Sequence, residues 1–266
     1  MPESDLSLLI SAAQRAGEIA GQFVGTEAQK WDKPDGAGPV TEADLAVNRY
    51  LEDRLQAARP DYGWLSEESE DNDLRLSRSH VFVIDPIDGT RSFADGSRTW
   101  AHSLAIVKDG APVAAVVMLP QRNLLFAAAA GQGARCNGTP IHASPAQDAE
   151  AAHVLSAKSA LDAHHWTDAG PPAFERSHRP SLAYRMARVA DGTYDAMLTL
   201  RPTWEWDIAA GVLLLEEAGG VATNRCGGRM VFNRPDALQD GVVAGGPEVH
   251  RQLLSRLVYS SDENRS

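Results

Sequence analysis

The chain has 266 residues, 43% hydrophobic and 23% charged, enough for one large domain or two modest ones with a substantial core. A net charge of −11 argues against a nucleic-acid polymer or an anionic membrane as partner, although bound cations would still admit an anionic substrate. No apolar run approaches the ~20 residues that span a bilayer, and the acidic N-terminus lacks the basic-then-apolar layout of a signal peptide.

A soluble, cytoplasmic protein is therefore expected. Its two cysteines, Cys136 and Cys226, are read as reduced thiols rather than a disulfide framework. Leu6, Leu9, Ile10, Ala13, Ala16, Ile19, Ala20 and Phe23 recur at helical spacing and predict an amphipathic helix over 5–24. KWDKPDGAGPV reads as a loop or short hairpin. Thr41 caps a second helix that carries Leu45, Val47, Tyr50, Leu51 and Leu55 and ends before Pro60. YGWLSEESED starts as a short strand and turns acidic, and VFVI (81–84) is a buried strand. Strands follow at 103–107, 112–119 and 124–130, with turns at Asp109-Gly110 and 121–123, and GQGARCNGTPI continues the meander.

Residues 1–150 thus read as two helices on a mainly antiparallel sheet. Residues 151–266 alternate: strand HVLSA, helix 181–192, strand YDAMLTL, helix 207–220, strands VAT and GVVAG, and a closing helix PEVHRQLLSRLV. The two halves are expected to form one compact α/β (α+β) unit, with the tail SSDENRS frayed.

Acidic residues gather at element ends: Asp44, Glu67, Glu68, Asp85, Asp88 and Asp207. Taken singly, each has an ordinary reading. DPIDG is a turn composition, SEESED a solvated face, Asp207 a helix cap and Asp44 a first-turn stabiliser. Together they describe a cleft. Clustered carboxylates persist only with protons or cations, and hard oxygen ligands suit Mg²⁺. Asp85 at the strand end can bridge two ions, Pro86 lets the Ile87 carbonyl turn inward, and Asp88 returns to the same side. Gly89 and Thr90 offer N–H groups at a helix start, where an anion is favoured. Thr90 can hold a water whose proton Asp44 accepts, which is metal-assisted phosphoryl transfer to water.

VTEAD (40–44), WLSEES (64–69), DPIDGTRSF (85–93) and WDIAAG…EEAGG (206–220) resemble the signature blocks of the inositol monophosphatase superfamily, which are Mg²⁺-dependent, lithium-sensitive phosphatases. The resemblance implies an alternating αβαβα sandwich and commonly a homodimer. It implies that Glu67, Asp85 and the Ile87 carbonyl ligate a first ion, and that Asp85, Asp88 and Asp207 ligate a second. A third, weaker ion would touch Glu67. Gly89 and Thr90 would bind phosphate, Thr90 and Asp44 would orient the water, and Glu68 would sit close by.

RPTWEWDIAAG (201–211) and SLAYRMARVADGTYDA are similar to segments of bacterial 3′(2′),5′-bisphosphate nucleotidases. Those enzymes often carry a Lys where this chain has Ala183, so Arg185 or Arg201 is expected to supply the charge for a second phosphate. Ser181 and Glu205 are expected at the substrate. Trp204 and Trp206 would stack a base or pack inside. Inositol phosphatases typically place a Glu where Thr199 and Leu200 stand. A small phosphorylated metabolite such as 3′-phosphoadenosine 5′-phosphate is therefore favoured over inositol 1-phosphate and histidinol phosphate.

A covalent aspartyl-phosphate would need Asp-x-Asp, but the spacing here is Asp-x-x-Asp around Ile87. The EF-hand loop is absent, and His164-His165 lacks the pattern of a histidine metal site. The complete acidic set argues against a non-catalytic metal-binding protein. His102 is not expected to act directly.

Overall fold

The computed structural model describes residues 3–24, 30–32 and 39–258. In chain order the elements are α1 (Asp5–Gly21), β1 (Lys30–Asp32), β2 (Pro39–Thr41), α2 (Glu42–Ala58), β3 (Gly63–Ser66), β4 (His80–Asp88), α3 (Thr90–Ala94) and β5 (Ala101–Lys108). Next come β6 (Ala111–Leu119), β7 (Leu124–Ala129), β8 (Ala134–Cys136), β9 (Thr139–Pro140), β10 (His153–Ser156), β11 (Glu175–Ser177) and α4 (Leu182–Ala190). The chain ends with β12 (Ala196–Thr199), β13 (Thr203–Trp204), α5 (Glu205–Glu217), β14 (Val221–Thr223), β15 (Leu238–Gln239), β16 (Val242–Gly245) and α6 (Pro247–Arg256).

Seven strands, β3 to β9, form one sheet in sequence order. Only the β3–β4 pair in it is parallel. A second, mixed sheet runs β11-β10-β12-β16-β14. The alternation of side chains along each strand decides the layers. Phe82 and Ile84 of β4, with Leu104 and Ile106 of β5, pack against Leu8, Leu9, Ala12 and Ala16 of α1 and Val47, Leu51 and Leu55 of α2. Their neighbours Val81, Val83, Ala105 and Val107 point the other way, into a core shared with Met186, Val189, Ile208 and Leu213 of α4 and α5. Leu155, Met197 and Ala244 of the second sheet close that core from the far side. Val154, Leu198 and Val243 then cover Val249 and Leu253 of α6. Helices, sheet, helices, sheet and helix follow in turn, so the expected αβαβα sandwich is the fold.

α5 is apolar all round because both its faces are covered. Gly211 lets it approach α4, since a Cβ there would lie 2.5 Å from the Met186 side chain. Boundaries differ from expectation by a few residues at several elements, α4, α5 and β5 among them. α1 stops at Gly21 rather than residue 24. α5 starts at Glu205, putting Asp207 inside the first turn rather than ahead of it. β4 continues through Asp88 instead of ending at Ile84, because antiparallel pairing with β5 survives an irregularity between Asp85 and Asp88. The short strand β11 carries no strand signal in the sequence and forms by parallel pairing with β10. The tail SSDENRS lies outside the described residues.

Candidate active site

The site is assembled where β4 loses its regular register. Asp85 sits opposite Ser103 of β5. The Ser103 hydroxyl donates to the Trp206 carbonyl at 2.8 Å, which anchors the first turn of α5 and brings Asp207 over Asp85. Asp85, Asp88 and Asp207 each offer an oxygen within 4.8 Å of the others. All three are pushed up from the ordinary carboxylate range, first by burial and then by Glu67, with Asp88 and Asp207 adding to the rise of Asp85 and Asp88 to that of Asp207, while Asp88 settles at about 6 against the Ser181 and Ala183 hydrogen bonds. Asp85 is 1% exposed, and its Oδ1 has no hydrogen-bond partner among the described residues. A buried, unpartnered carboxylate oxygen inside a ring of carboxylates fits a hard divalent cation.

Glu67 stands outside that close group of three. Its charge nevertheless raises Asp44, Asp85, Asp88 and Asp207 alike, so it faces the same space. β3 puts it there: Ser66 pairs in register with Ile84, and the Glu67 N–H donates to the Ile84 carbonyl at 3.2 Å.

Asp44 lies on the near side of the cleft. Thr41 caps α2 and closes a reciprocal capping box with Asp44. The Thr41 N–H and hydroxyl both donate to Asp44 Oδ2. That leaves Oδ1 to accept from the Thr90 hydroxyl at 3.1 Å. The same hydroxyl also lies 3.3 Å from the Ile87 carbonyl. Burial lifts Asp44 to about 6 against these hydrogen bonds, and Glu67 adds to the rise. Between Asp88 and Thr90 the chain turns at Gly89, with φ +94°, and a Cβ there would lie 3.3 Å from Ser181. Fully buried His102 donates from Nδ1 to the Pro86 carbonyl and is held down at about 4, hence neutral, by burial. It props the turn from beneath and touches no carboxylate of the cluster.

Two expected substrate contacts are corrected. Ser181 is fully buried and caps α4; its hydroxyl donates to Asp88 Oδ2 at 2.6 Å, and the Ala183 N–H donates to the same oxygen at 2.6 Å. Ala183, where this chain departs from the Lys of the resembled nucleotidases, is itself fully buried. Glu205 is also fully buried, accepting from the Asn233 and Arg234 N–H groups at 2.6 and 3.1 Å and from Gln239 at 3.2 Å. It clamps the 231–239 loop to α5 and has no face toward a ligand. Ser181→Ala is expected to lose about 1 kcal/mol of stability as a lost cap. It is also expected to weaken Mg²⁺ binding about tenfold, because Asp88 loses an orienting donor. Thermal denaturation with and without Mg²⁺ checks both.

Beside the carboxylates opens a cavity of about 550 Å³. Arg91, Arg185, Arg201, Thr199 and Leu200 line it, together with His164, His165 and His178. Arg185 acts electrostatically on Asp88, and Arg201 on Asp207. Arg185 is nearly buried, held at about 10 by burial, and braced by the Arg179 carbonyl and by His178 Nε2 at 2.9 Å. Trp204 and Trp206 stack on each other at 4.7 Å and lie outside this cavity's lining. Cys136 and Cys226 are not joined in a disulfide.

A close group of carboxylates, Asp85 and Asp88 buried and Asp207 partly so, a hydroxyl–carboxylate pair and an adjoining cationic cavity are the working parts of a metal-dependent phosphatase of small phosphate monoesters. Sequence comparison matches residues 1–263 to the inositol monophosphatase family, and the chain belongs to that family. It is 31% identical to the Nus factor SuhB of Escherichia coli (strain K12) over 95% of each chain. It is 30% identical to an inositol-1-monophosphatase of Rhizobium meliloti (strain 1021), covering 84% of this chain and 86% of that one. It is 28% identical to a histidinol-phosphatase of Chlorobaculum parvum, covering 95% and 96%. The solved structure of the Thermotoga maritima IMPase shares 26% identity at a TM-score of 0.81, covering 94% of this chain and 95% of that one. The protein is thus a phosphoric monoester hydrolase of a metal-dependent family. Among the described residues no helix is long and apolar enough to cross a membrane.

Proposed function

We propose that this enzyme hydrolyses a 3′(2′),5′-bisphosphate nucleotide such as 3′-phosphoadenosine 5′-phosphate, with Mg²⁺ and direct attack of water. The cavity carries the reading. Arg185 and Arg201 present positive charge beside the carboxylate ring, where a substrate's second phosphate would lie. Glu67, Asp85, Asp88, Asp207 and the Ile87 carbonyl would hold two or three Mg²⁺. When bound, these ions neutralise the scissile phosphate and acidify the attacking water. The Gly89 and Thr90 N–H groups are assigned to that phosphate. Thr90 orients the water, and Asp44 takes its proton, since a carboxylate held at about 6 is mostly ionised at neutral pH yet basic enough to accept. Lithium sensitivity, a homodimeric assembly and a cytoplasmic location belong to the same proposal.

Inositol 1-phosphate is the second reading, favoured by the name of the Rhizobium meliloti relative. Against it, Thr199 and Leu200 stand in the cavity wall where a Glu would meet ring hydroxyls, and the one carboxylate in that wall, Asp162, is outnumbered there by three arginines. Histidinol phosphate carries an ammonium group that the arginines would repel. Initial rates with Mg²⁺ on these three compounds decide among them, and a clear preference for inositol 1-phosphate sinks the nucleotide reading. Arg201→Ala is expected to raise KM for the bisphosphate about tenfold, the worth of one charge-assisted hydrogen bond. The KM for a nucleoside monophosphate should barely move.

A further inference from the structure

α2 turns three polar side chains toward the acidic loop at four-residue spacing: Asp44, Asn48 and Glu52. Asn48 is 7% exposed, and its whole amide is engaged by the last residue of β3 and the residues that follow it. Its Oδ1 accepts from the Ser66 hydroxyl at 2.7 Å. Its Nδ2 donates to the Glu68 carbonyl at 3.3 Å and to Ser69 Oγ at 3.0 Å. A carbonyl can only accept, so the Glu68 contact fixes which way the amide points. Ser69 Oγ also accepts from Trp64 Nε1 at 2.9 Å and donates to Glu52 at 3.4 Å.

Both neighbours of Glu67 are therefore tied to the helix that carries Asp44. The Glu67 N–H is separately tied to Ile84, the residue before Asp85. The segment also holds Glu68 and Glu70, of the same sign as the carboxylate cluster, while Asp71 is paired with Arg75 at 2.7 Å. An uncharged amide with a donor and an acceptor can restrain it without adding to that field. A carboxylate at 48 would worsen the repulsion, and a cation would compete for the carboxylates an ion needs.

We propose that Asn48 is a positioning residue for the metal site, setting the place of Glu67 relative to Asp44. The inference rests on Glu67 being an ion ligand. Its test uses the full-length enzyme without substrate, titrated with Mg²⁺ by calorimetry and by the Mg²⁺-induced rise in Tm. Asn48→Ala is expected to bind Mg²⁺ about 10- to 100-fold more weakly, the usual effect of losing a partner that orients a ligand. Turnover at saturating Mg²⁺ should stay close to wild type. Asn48→Asp keeps the Ser66 bond but sets an oxygen against the Glu68 carbonyl, and it should fail in the same way. Ser69→Ala gives a smaller shift in the same direction and keeps the test open if Asn48→Ala does not fold. Glu67→Gln is the control. If Glu67→Gln weakens Mg²⁺ binding while the Asn48 and Ser69 variants bind as wild type, the positioning role is overturned and the ligand role stands. A lower Tm with unchanged Mg²⁺ affinity overturns it equally. If Glu67→Gln itself leaves Mg²⁺ binding unchanged, the ligand assignment falls first.

Discussion

Asp85→Asn is expected to lower turnover by at least about 10³-fold, because losing charge at the centre of the ion site forfeits several kcal/mol of transition-state stabilisation. The fold should survive, and the metal-free protein should become more stable. Asp85 is buried, its Oδ1 has no partner, and its proton affinity is raised by burial and then by Glu67, Asp88, Asp207 and Asp44. A neutral side chain of the same shape relieves desolvation and four repulsions at once. At this chain length each ~1 kcal/mol gained moves Tm by roughly 2–4 °C. The increase in Tm on adding Mg²⁺ should shrink or vanish. Asp88→Asn is the less clean variant. Its Oδ2 accepts from Ser181 and Ala183, so an amide there sets N–H against N–H in one orientation. Retained turnover in Asp85→Asn would remove the metal assignment, and a fall in metal-free Tm would contradict the repulsion argument.

The main helices and strands and the Asp85–Thr90 turn were legible because they rest on short-range signals, whereas the layer order came with the family resemblance. The continuous apolar runs of β4 to β7, the Thr41 cap and the DPIDGT turn each fix local geometry. Bringing Asp207 to Asp85 needed the family resemblance, since the contact that places it, Ser103 on the Trp206 carbonyl, joins residues 103 apart in sequence. Ser181 and Glu205 were misplaced for a related reason. Both lie beside the site in sequence, but the first serves Asp88 from the cap of α4 and the second faces the 231–239 loop. Sequence adjacency does not say which way a helix start turns its side chains. Asn48 left a trace that could have been followed, a polar residue among Val47, Leu51 and Leu55, one turn beyond Asp44. Its partners on the 66–69 loop could not be read, because they depend on how β3 meets α2.

Without divalent cation the protein is expected to lose stability as pH rises from about 5 to about 8, and Mg²⁺ should restore more at the upper end. The sign follows from the raised carboxyls of the site and of Glu205, which outnumber opposing buried histidines such as His102, held down at about 4 and so gaining stability as pH rises toward 6.5. Asp44 and Asp88 are raised to about 6, Glu205 to about 7, and Asp85 and Asp207 well above the usual carboxylate value. A raised carboxyl binds its proton more tightly folded than unfolded. Its favourable contribution is complete below the unfolded value near 4 and is lost as pH climbs through the folded value. A single carboxyl raised from 3.8 to about 6 carries on the order of 3 kcal/mol in all, about half of it lost above pH 5. The carboxylates of the ring share neighbours, so their contributions do not add. A cation changes the balance by replacing the protons. Mg²⁺ binding should therefore release protons below about pH 7 and tighten as pH rises. Thermal denaturation in chelator and in Mg²⁺ at both ends of the range measures the two stabilities, and calorimetry in buffers of different ionisation enthalpy counts the protons. Turnover should rise through about pH 6 as Asp44 becomes able to accept a proton. If the metal-free Tm rose with pH, or the Mg²⁺ increment stayed constant, the buried ring would not be what holds the ion.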